Sequence, residues 1–112
     1  MDYALDSIFD PDKKRWSVSI VGEVDIFNSA DMKKSLTELI NQKNTDMVLD
    51  CKYLDYIDST ALGALVGVLK HVKSYGGSIY LRNVKPSLSK LFKITNLDKV
   101  FLMEGEDDNG SK

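Results

Sequence analysis

Residues 45–72 read TDMVLDCKYLDYIDSTALGALVGVLKHV, and they contain the clearest strand and helix signals of the chain. Its first seven residues are an apolar run of strand length, which is typical of a strand buried inside a sheet. Further on, apolar side chains recur at the spacing of one helical face, namely Leu62, Leu65, Val66, Leu69 and Val72. A buried strand followed by an amphipathic helix predicts an α/β domain.

The flanking segments continue the alternation of strands and helices. The predicted strands are 3–9, 15–24, 45–51, 78–84 and 99–103, and the predicted helices are 28–42, 60–74 and 86–95. The first two strands flank a Pro-Asp turn and form an antiparallel hairpin, whereas the helical crossovers favour parallel neighbours. We therefore expect one α/β domain over 1–103, in the order ββαβαβαβ. Its sheet is mixed but mainly parallel, with four or five strands and three or four helices, and an acidic tail at 104–112 is expected to fray.

Composition and charge narrow the function classes. The 112 residues suit one domain, and 43% hydrophobic with 29% charged residues is typical of a soluble globular chain. A net charge of −2 argues against nucleic-acid binding, which requires a basic excess. The charge is uneven, with −5 over residues 1–58 and +6 over 59–103. This pattern fits either an ordinary solvated surface or a patch that orients a charged partner.

Targeting and metal signals are weak in this sequence. It contains no apolar run of 18 residues, and MDYALDSIFD lacks the basic start and apolar block of a signal peptide. We expect a cytoplasmic protein without a membrane segment. Cys51 and His71 are the single cysteine and histidine, too few for a zinc site, so Cys51 is interpreted as a small core residue.

Polar residues stand where the helix after the buried strand begins. Asp58, Ser59 and Thr60 occupy that corner, and the simplest interpretation is that Asp58 or Ser59 caps the helix. Small residues follow at once, which leaves the Ser59 hydroxyl accessible. The predicted central strand ends near Cys51, and a short loop leads from its carboxyl end to this corner; α/β proteins usually place their sites there. A second strand-to-helix loop has the same sense and carries Glu23, Asp25 and Asn28.

Catalysis by Ser59 is not supported. His71 lies twelve residues along the same helix, about 18 Å away at 1.5 Å per residue, so it cannot serve as the base of a serine nucleophile. The sequence also lacks a G-x-S-x-G elbow, a GxxxxGK[ST] loop and a GxGxxG motif. We predict that the chain is not an enzyme and holds no cofactor of its own.

A serine that is acted upon remains, and here the sequence resembles a known family. GEVD at 22–25 together with DSTALG at 58–63 resembles the STAS domain, most closely the bacterial anti-sigma factor antagonists. The resemblance runs from about residue 3 to 103 and includes LFKITNLDKVF at 91–101. Ala61 stands where many relatives carry glycine, and the family's usual last helix is missing from the short polar tail.

The resemblance implies a phosphorylation switch. In that family the serine after the motif's aspartate is phosphorylated by an anti-sigma factor that is itself a serine kinase, and this position is Ser59 here; Thr60 is the less favoured acceptor. The unmodified protein binds the anti-sigma factor and releases a sigma factor, phosphorylation ends the binding, and a serine phosphatase restores it. The kinase supplies ATP and magnesium.

The resemblance also implies a partner-binding surface around the acceptor. We assign to it the residues of the two loops and of the first helical turns, namely Glu23, Asp25, Asn28, Asp58, Thr60 and Gly63. STAS domains also serve as scaffolds or as accessory subunits of signalling, transport and lipid-transfer complexes, and this is the alternative. We expect a monomer in the free state. The sequence leaves open whether the sigma factor governs sporulation or general stress.

Overall fold

A computed structural model describes residues 2–104 of the chain. The strands are β1 Tyr3–Asp10, β2 Arg15–Val24, β3 Asp46–Asp50, β4 Leu54–Ile57, β5 Ile79–Arg82 and β6 Leu102–Met103. The helices are α1 Ser29–Gln42, α2 Ser59–Ser74 and α3 Pro86–Ile94, with a 3-10 turn at Leu97–Lys99. Over residues 2–104 the mixed α/β fold predicted from the sequence is confirmed, with three helices and with six strands instead of the predicted four or five.

The sheet has the order β1-β2-β3-β5-β6, with β4 attached to β2 beside this path. The hairpin β1–β2 is antiparallel, and every other pairing is parallel. β2 is long enough to have two neighbours on one edge. Its residues 15–19 pair with β3, and its residues 22–24 pair with β4. The carboxyl ends of β2 and β4 therefore lie side by side.

The core forms where the predicted apolar faces meet. Trp16, Val18 and Ile20 alternate inward along β2, as period-two patterning requires. Helix α1 contributes Met32, Leu36 and Ile40, each with 0% exposure, and packs along α2. Residues of both helices and of the sheet belong to one continuous hydrophobic cluster.

Cys51 lies inside this cluster, as the sequence predicted. Its side chain is 2% exposed. Burial, with a smaller effect from the neighbouring Asp50 carboxylate, raises the pKa of the Cys51 thiol to about 12. A thiol that stays protonated and covered is a poor nucleophile, which is consistent with a packing role.

Two local predictions need correction. Residues 54–57 were interpreted as part of a loop, but they form β4, so the corner at Asp58 follows β4 and not the central strand β3. The last strand was expected at 99–103, but the chain makes a 3-10 turn at Leu97–Lys99 and only Leu102–Met103 pair with β5.

The predicted tail begins at Glu104, and residues 105–112 lie outside the described part of the chain. Glu104 itself is held against the sheet. Its carboxylate accepts hydrogen bonds from Arg15 at the start of β2, at 2.7 and 3.1 Å, and from Arg82 at the end of β5, at 2.6 and 3.1 Å.

Candidate functional site

Asp58 joins the start of α2 to the loop that follows β2. It is the N-cap of α2, and its Oδ1 accepts a hydrogen bond from the Ala61 backbone N–H at 2.8 Å. Its second oxygen, Oδ2, accepts from the backbone N–H of Ile26 at 2.9 Å, across to the other loop. The Asp58 N–H donates to the Val24 carbonyl at 3.2 Å. One residue thus caps a helix and holds two chain segments together.

The loop between β2 and α1 is built by its own polar side chains. The Asp25 side chain accepts from the Phe27 N–H at 2.9 Å, and the Asp25 N–H donates to Asn28 Oδ1 at 2.8 Å. The Asn28 amide in turn donates to the Glu23 carbonyl at 3.0 Å. Asn28 is the N-cap of α1 by position, as predicted, but its side chain does not cap the helix. It folds the loop instead.

Ser59 and Thr60 are the first two residues of α2, and both are exposed. The helix dipole places partial positive charge at this end, which favours an anion there. Gly63 lies one turn further along on the Ser59 side, and a Cβ added to it would meet no atom within 4 Å. The surface beside the Ser59 hydroxyl is therefore open to another molecule.

The two glycines of α2 differ in their surroundings. Gly63 and Gly67 are four residues apart on one side of the helix, and this spacing predicts close packing against both. A Cβ on Gly67 would approach Lys33 Nζ to 2.7 Å, so the α1 side chain lies directly over this glycine. Gly63 has no such neighbour among the described residues.

The predicted site residues fall into two groups in the structure. Asp58, Ser59, Thr60 and Gly63 gather at the exposed start of α2, beside the loop that carries Glu23, Asp25 and Asn28. Asp25 is only 7% exposed and its polar groups form the turn, so it shapes the loop rather than presenting a carboxylate beside Ser59. Its predicted contact with a partner remains a prediction.

Sequence reasoning missed the apolar part of this surface. Phe27 is 91% exposed, Ile26 is 61% exposed and Tyr56 is 47% exposed, all close to Asp58 along the chain or across the Ile26–Asp58 hydrogen bond. The available signal was the pair Ile-Phe between Asp25 and Asn28, since large apolar residues are unusual in a turn.

Residues 2–104 contain no membrane-spanning helix and no candidate metal site. In that range no helix has both the length and the apolar character needed to cross a bilayer. Within the same range, no three His, Cys, Asp or Glu side chains are grouped so that they could hold a metal ion.

Comparison with known proteins gives one family and several close relatives. The STAS domain family model matches residues 14–108. The anti-sigma-B factor antagonist of Bacillus subtilis is 36% identical over 93 residues, which cover 83% of this chain and 84% of that protein.

Solved structures share the fold. A putative anti-sigma factor antagonist from Thermotoga maritima has a TM-score of 0.76 and 25% identity, covering 88% of this chain and 84% of that one. The anti-sigma factor antagonist SpoIIAA in its unphosphorylated form has a TM-score of 0.71 at 18% identity, covering 95% and 90% of the two chains. The phosphorylated form of SpoIIAA, from Bacillus, has a TM-score of 0.69 at 19% identity, covering 92% and 93%.

Proposed function

The chain belongs to the STAS domain family, and we propose that it is an anti-sigma factor antagonist switched by phosphorylation of Ser59. In this proposal the unmodified protein binds an anti-sigma factor in the cytoplasm and releases a sigma factor. The anti-sigma factor is also the serine kinase, and a separate phosphatase reverses the modification. The chain contributes an acceptor and a surface, and it performs no catalysis.

The observation that carries the proposal is the position of Ser59. Its hydroxyl is exposed at the first residue of α2, with small or exposed neighbours at Thr60 and Gly63. In the transfer step, Ser59 Oγ attacks the γ-phosphorus of ATP bound to the kinase. ADP leaves, and the hydroxyl proton passes to a base of the kinase. Thr60, the next residue, is the second candidate acceptor.

The phosphorylated form is expected to keep its fold. A phosphoserine carries about −1.5 to −2 charges at pH 7, and the positive end of the α2 dipole stabilises negative charge at this position. The solved structures of SpoIIAA in its unphosphorylated and phosphorylated forms both share the fold of this chain, with TM-scores of 0.71 and 0.69. These likenesses support a switch that acts at the surface without a large rearrangement.

In this proposal, repulsion between the new phosphate and a carboxylate of the partner causes the loss of binding. Asp58, next to Ser59 in the chain, adds negative charge to the same surface. Two unit charges 4 Å apart interact by about 4 kcal/mol at an effective dielectric constant of 20. A loss of about 3–4 kcal/mol weakens binding several hundred-fold, which is enough for a switch.

Replacement of Ser59 tests the acceptor. We expect Ser59→Ala to bind the purified anti-sigma factor kinase but to gain no phosphoryl group from Mg-ATP, as measured by intact-mass spectrometry. The matched variant Thr60→Ala keeps the acceptor and should still gain one phosphoryl group at saturating kinase concentration. Phosphate that arrives on Ser59→Ala as fast as on the wild type refutes the assignment.

Charge mimics test the electrostatic explanation separately. We expect Ser59→Asp and Ser59→Glu to bind the kinase more weakly by calorimetry, because each places a carboxylate where the phosphate would be. Their far-UV circular dichroism should match that of the wild type. Affinity equal to that of the wild type would contradict repulsion as the cause of release.

A further inference from the structure

Two large apolar side chains protrude from the loop beside Ser59. Phe27 is 91% exposed, more than any other exposed large apolar residue described, and its neighbour Ile26 is 61% exposed. Single apolar residues on a surface are ordinary. A nearly bare phenylalanine next to a second bare apolar residue, on a short turn, needs a reason.

Folding does not supply that reason. Phe27 directly precedes the N-cap Asn28, where an apolar residue often packs on the fourth helical residue as a hydrophobic staple. That residue here is Met32, which is completely buried. At 91% exposure, Phe27 covers little of any neighbour. Its side chain therefore contributes little to the stability of the fold.

The loop that carries Phe27 is fixed in place. The N–H groups of Ile26 and Phe27 donate to Asp58 Oδ2 and Asp25 Oδ1, both at 2.9 Å. The N–H groups of Asn28 and Ser29 both donate to the Asp25 carbonyl, at 3.2 and 2.9 Å. A backbone held this way loses little conformational freedom when the loop is bound, so the two side chains are presented ready for contact.

The same hydrogen bonds place these side chains beside the proposed acceptor. Ile26 donates to Asp58, which directly precedes Ser59. Tyr56, at 47% exposure, precedes Asp58 by two residues and pairs with Glu23 across β2 and β4. Any protein that reaches Ser59 with a kinase active site must come close to this apolar surface.

We propose that Phe27, supported by Ile26, is the apolar anchor by which the chain docks on its anti-sigma factor. This inference rests on the proposed function and adds the residue that supplies affinity. In the complex, Phe27 occupies a hydrophobic pocket on the kinase, next to its ATP site. The pocket lies there because the loop is hydrogen-bonded to Asp58, the residue before the acceptor.

The test uses the full-length chain and the purified anti-sigma factor kinase of the same organism. Phe27→Ala should weaken binding by about 30-fold or more, the loss typical of an aromatic hot spot. Phe27→Leu should recover part of that loss. The control is Ile8→Ala, because Ile8 is 70% exposed but pairs with Ser17, seven residues before the end of β2 and about 23 Å from it. Ile8→Ala should bind like the wild type.

Phosphorylation kinetics separate docking from chemistry. Phe27→Ala should raise the concentration of antagonist that gives half-maximal phosphorylation, while the rate at saturation stays near that of the wild type. Ser59→Ala should abolish phosphorylation at every concentration. Thermal unfolding of Phe27→Ala should match that of the wild type, because little of this side chain is buried.

The outcomes distinguish this inference from the proposed function. Wild-type affinity in Phe27→Ala, with Ser59 still phosphorylated, overturns the anchor and leaves the switch intact. A wild-type chain that neither binds the kinase nor accepts phosphate overturns both. If Phe27→Ala changes the oligomeric state of the free chain in light scattering and leaves kinase affinity unchanged, the surface belongs to a second copy and the inference is wrong.

Discussion

Asp58 has two structural roles, because its single carboxylate caps α2 and also binds the loop between β2 and α1. One carboxylate oxygen accepts from Ala61 and the other from Ile26, so both oxygens have backbone partners. A backbone N–H that loses its acceptor costs roughly 1–3 kcal/mol where water cannot replace it. The position of Ser59 and that of the Ile26 loop therefore depend on the same side chain.

Replacement of Asp58 should lower stability measurably. We expect Asp58→Ala to reduce the free energy of unfolding by about 1–3 kcal/mol, because the α2 cap and the link to the loop are both lost. Asp58→Asn should lose about half as much, since its one carbonyl oxygen can replace only one of the two acceptors. Urea denaturation followed by circular dichroism measures the difference. An Asp58→Ala variant within 0.5 kcal/mol of the wild type, taken as about the scatter of ordinary surface substitutions, would contradict it.

The sequence predicted which residues precede the helices better than it predicted the hydrogen bonds of their side chains. Asp58 was one of two predicted N-caps and is the observed one, and Asn28 precedes α1 as predicted. Asn28 nevertheless bonds back into its own loop, because a short amide reaches upstream groups as easily as helical N–H groups. Sequence spacing does not distinguish these partners. Nor does it show that Phe27 remains uncovered.

The residue pattern of β4 explains why the sequence placed the Asp58 corner after the wrong strand. Its buried residues are Leu54 and Ile57, three apart, with Asp55 and Tyr56 both exposed between them. The register shift between Gly22 and Glu23 causes this, because the pairing jumps from Leu54 to Tyr56. The resulting pattern lacks period two, so periodicity does not reveal the strand. By contrast, the apolar run at 45–51 predicted β3, and the segment 78–84 that contains β5 was also predicted as a strand.

Helix α2 gives a prediction that separates stability from binding. Gly63 lies in the helix interior with open space where a Cβ would be, so Gly63→Ala should raise the free energy of unfolding by about 1 kcal/mol. A partner that packs against the Ser59 side would meet the new methyl group. We therefore expect Gly63→Ala to bind the anti-sigma factor kinase more weakly while unfolding at higher urea concentration.

Gly67→Ala is the matched control on the same helix. Its Cβ would meet the flexible end of Lys33, which can move aside, so a stability change of the same sign with wild-type kinase affinity is expected. Titration calorimetry and urea denaturation on the two variants measure both quantities. Wild-type affinity in the stabilised Gly63→Ala protein would remove Gly63 from the proposed interface.

A group of ion pairs joins parts of the molecule that are far apart in the sequence. Glu104 and Arg15 are 89 positions apart, and Arg82 completes the group. The sequence placed Glu104 in a fraying tail because an acid at the start of an acidic, polar segment carries no periodic signal. Its partners were equally invisible, since Arg15 and Arg82 are ends of strands whose registers only the assembled sheet defines. Local sequence patterns predicted the elements, whereas the contact of Glu104 with the two arginines depends on how the strands assemble into the sheet.

This ion-pair group makes stability depend on acid pH in a defined window. The hydrogen bond from Arg15, assisted by Arg82 and opposed by burial, lowers the pKa of Glu104 from 4.5 to about 2. Because the folded-state pKa is depressed, the stabilisation is complete above about pH 4.5 and is lost as pH falls toward 2. With the side chain a quarter exposed, its contribution at pH 7 is about 2 kcal/mol. Glu104→Gln should thus be less stable than the wild type by this amount at pH 7.

The difference in the free energy of unfolding between Glu104→Gln and the wild type should shrink steadily between about pH 4.5 and pH 2. In this range the wild type loses by protonation the charge that the variant lacks at every pH. Urea denaturation across this range measures it. Glu38→Gln, on the exposed side of α1, removes the same charge without this ion-pair group and should follow the wild-type profile. A constant offset between Glu104→Gln and the wild type down to pH 2 would mean that the Glu104 pKa is not depressed, and that the arginines hold the end of β6 by packing and geometry instead of charge.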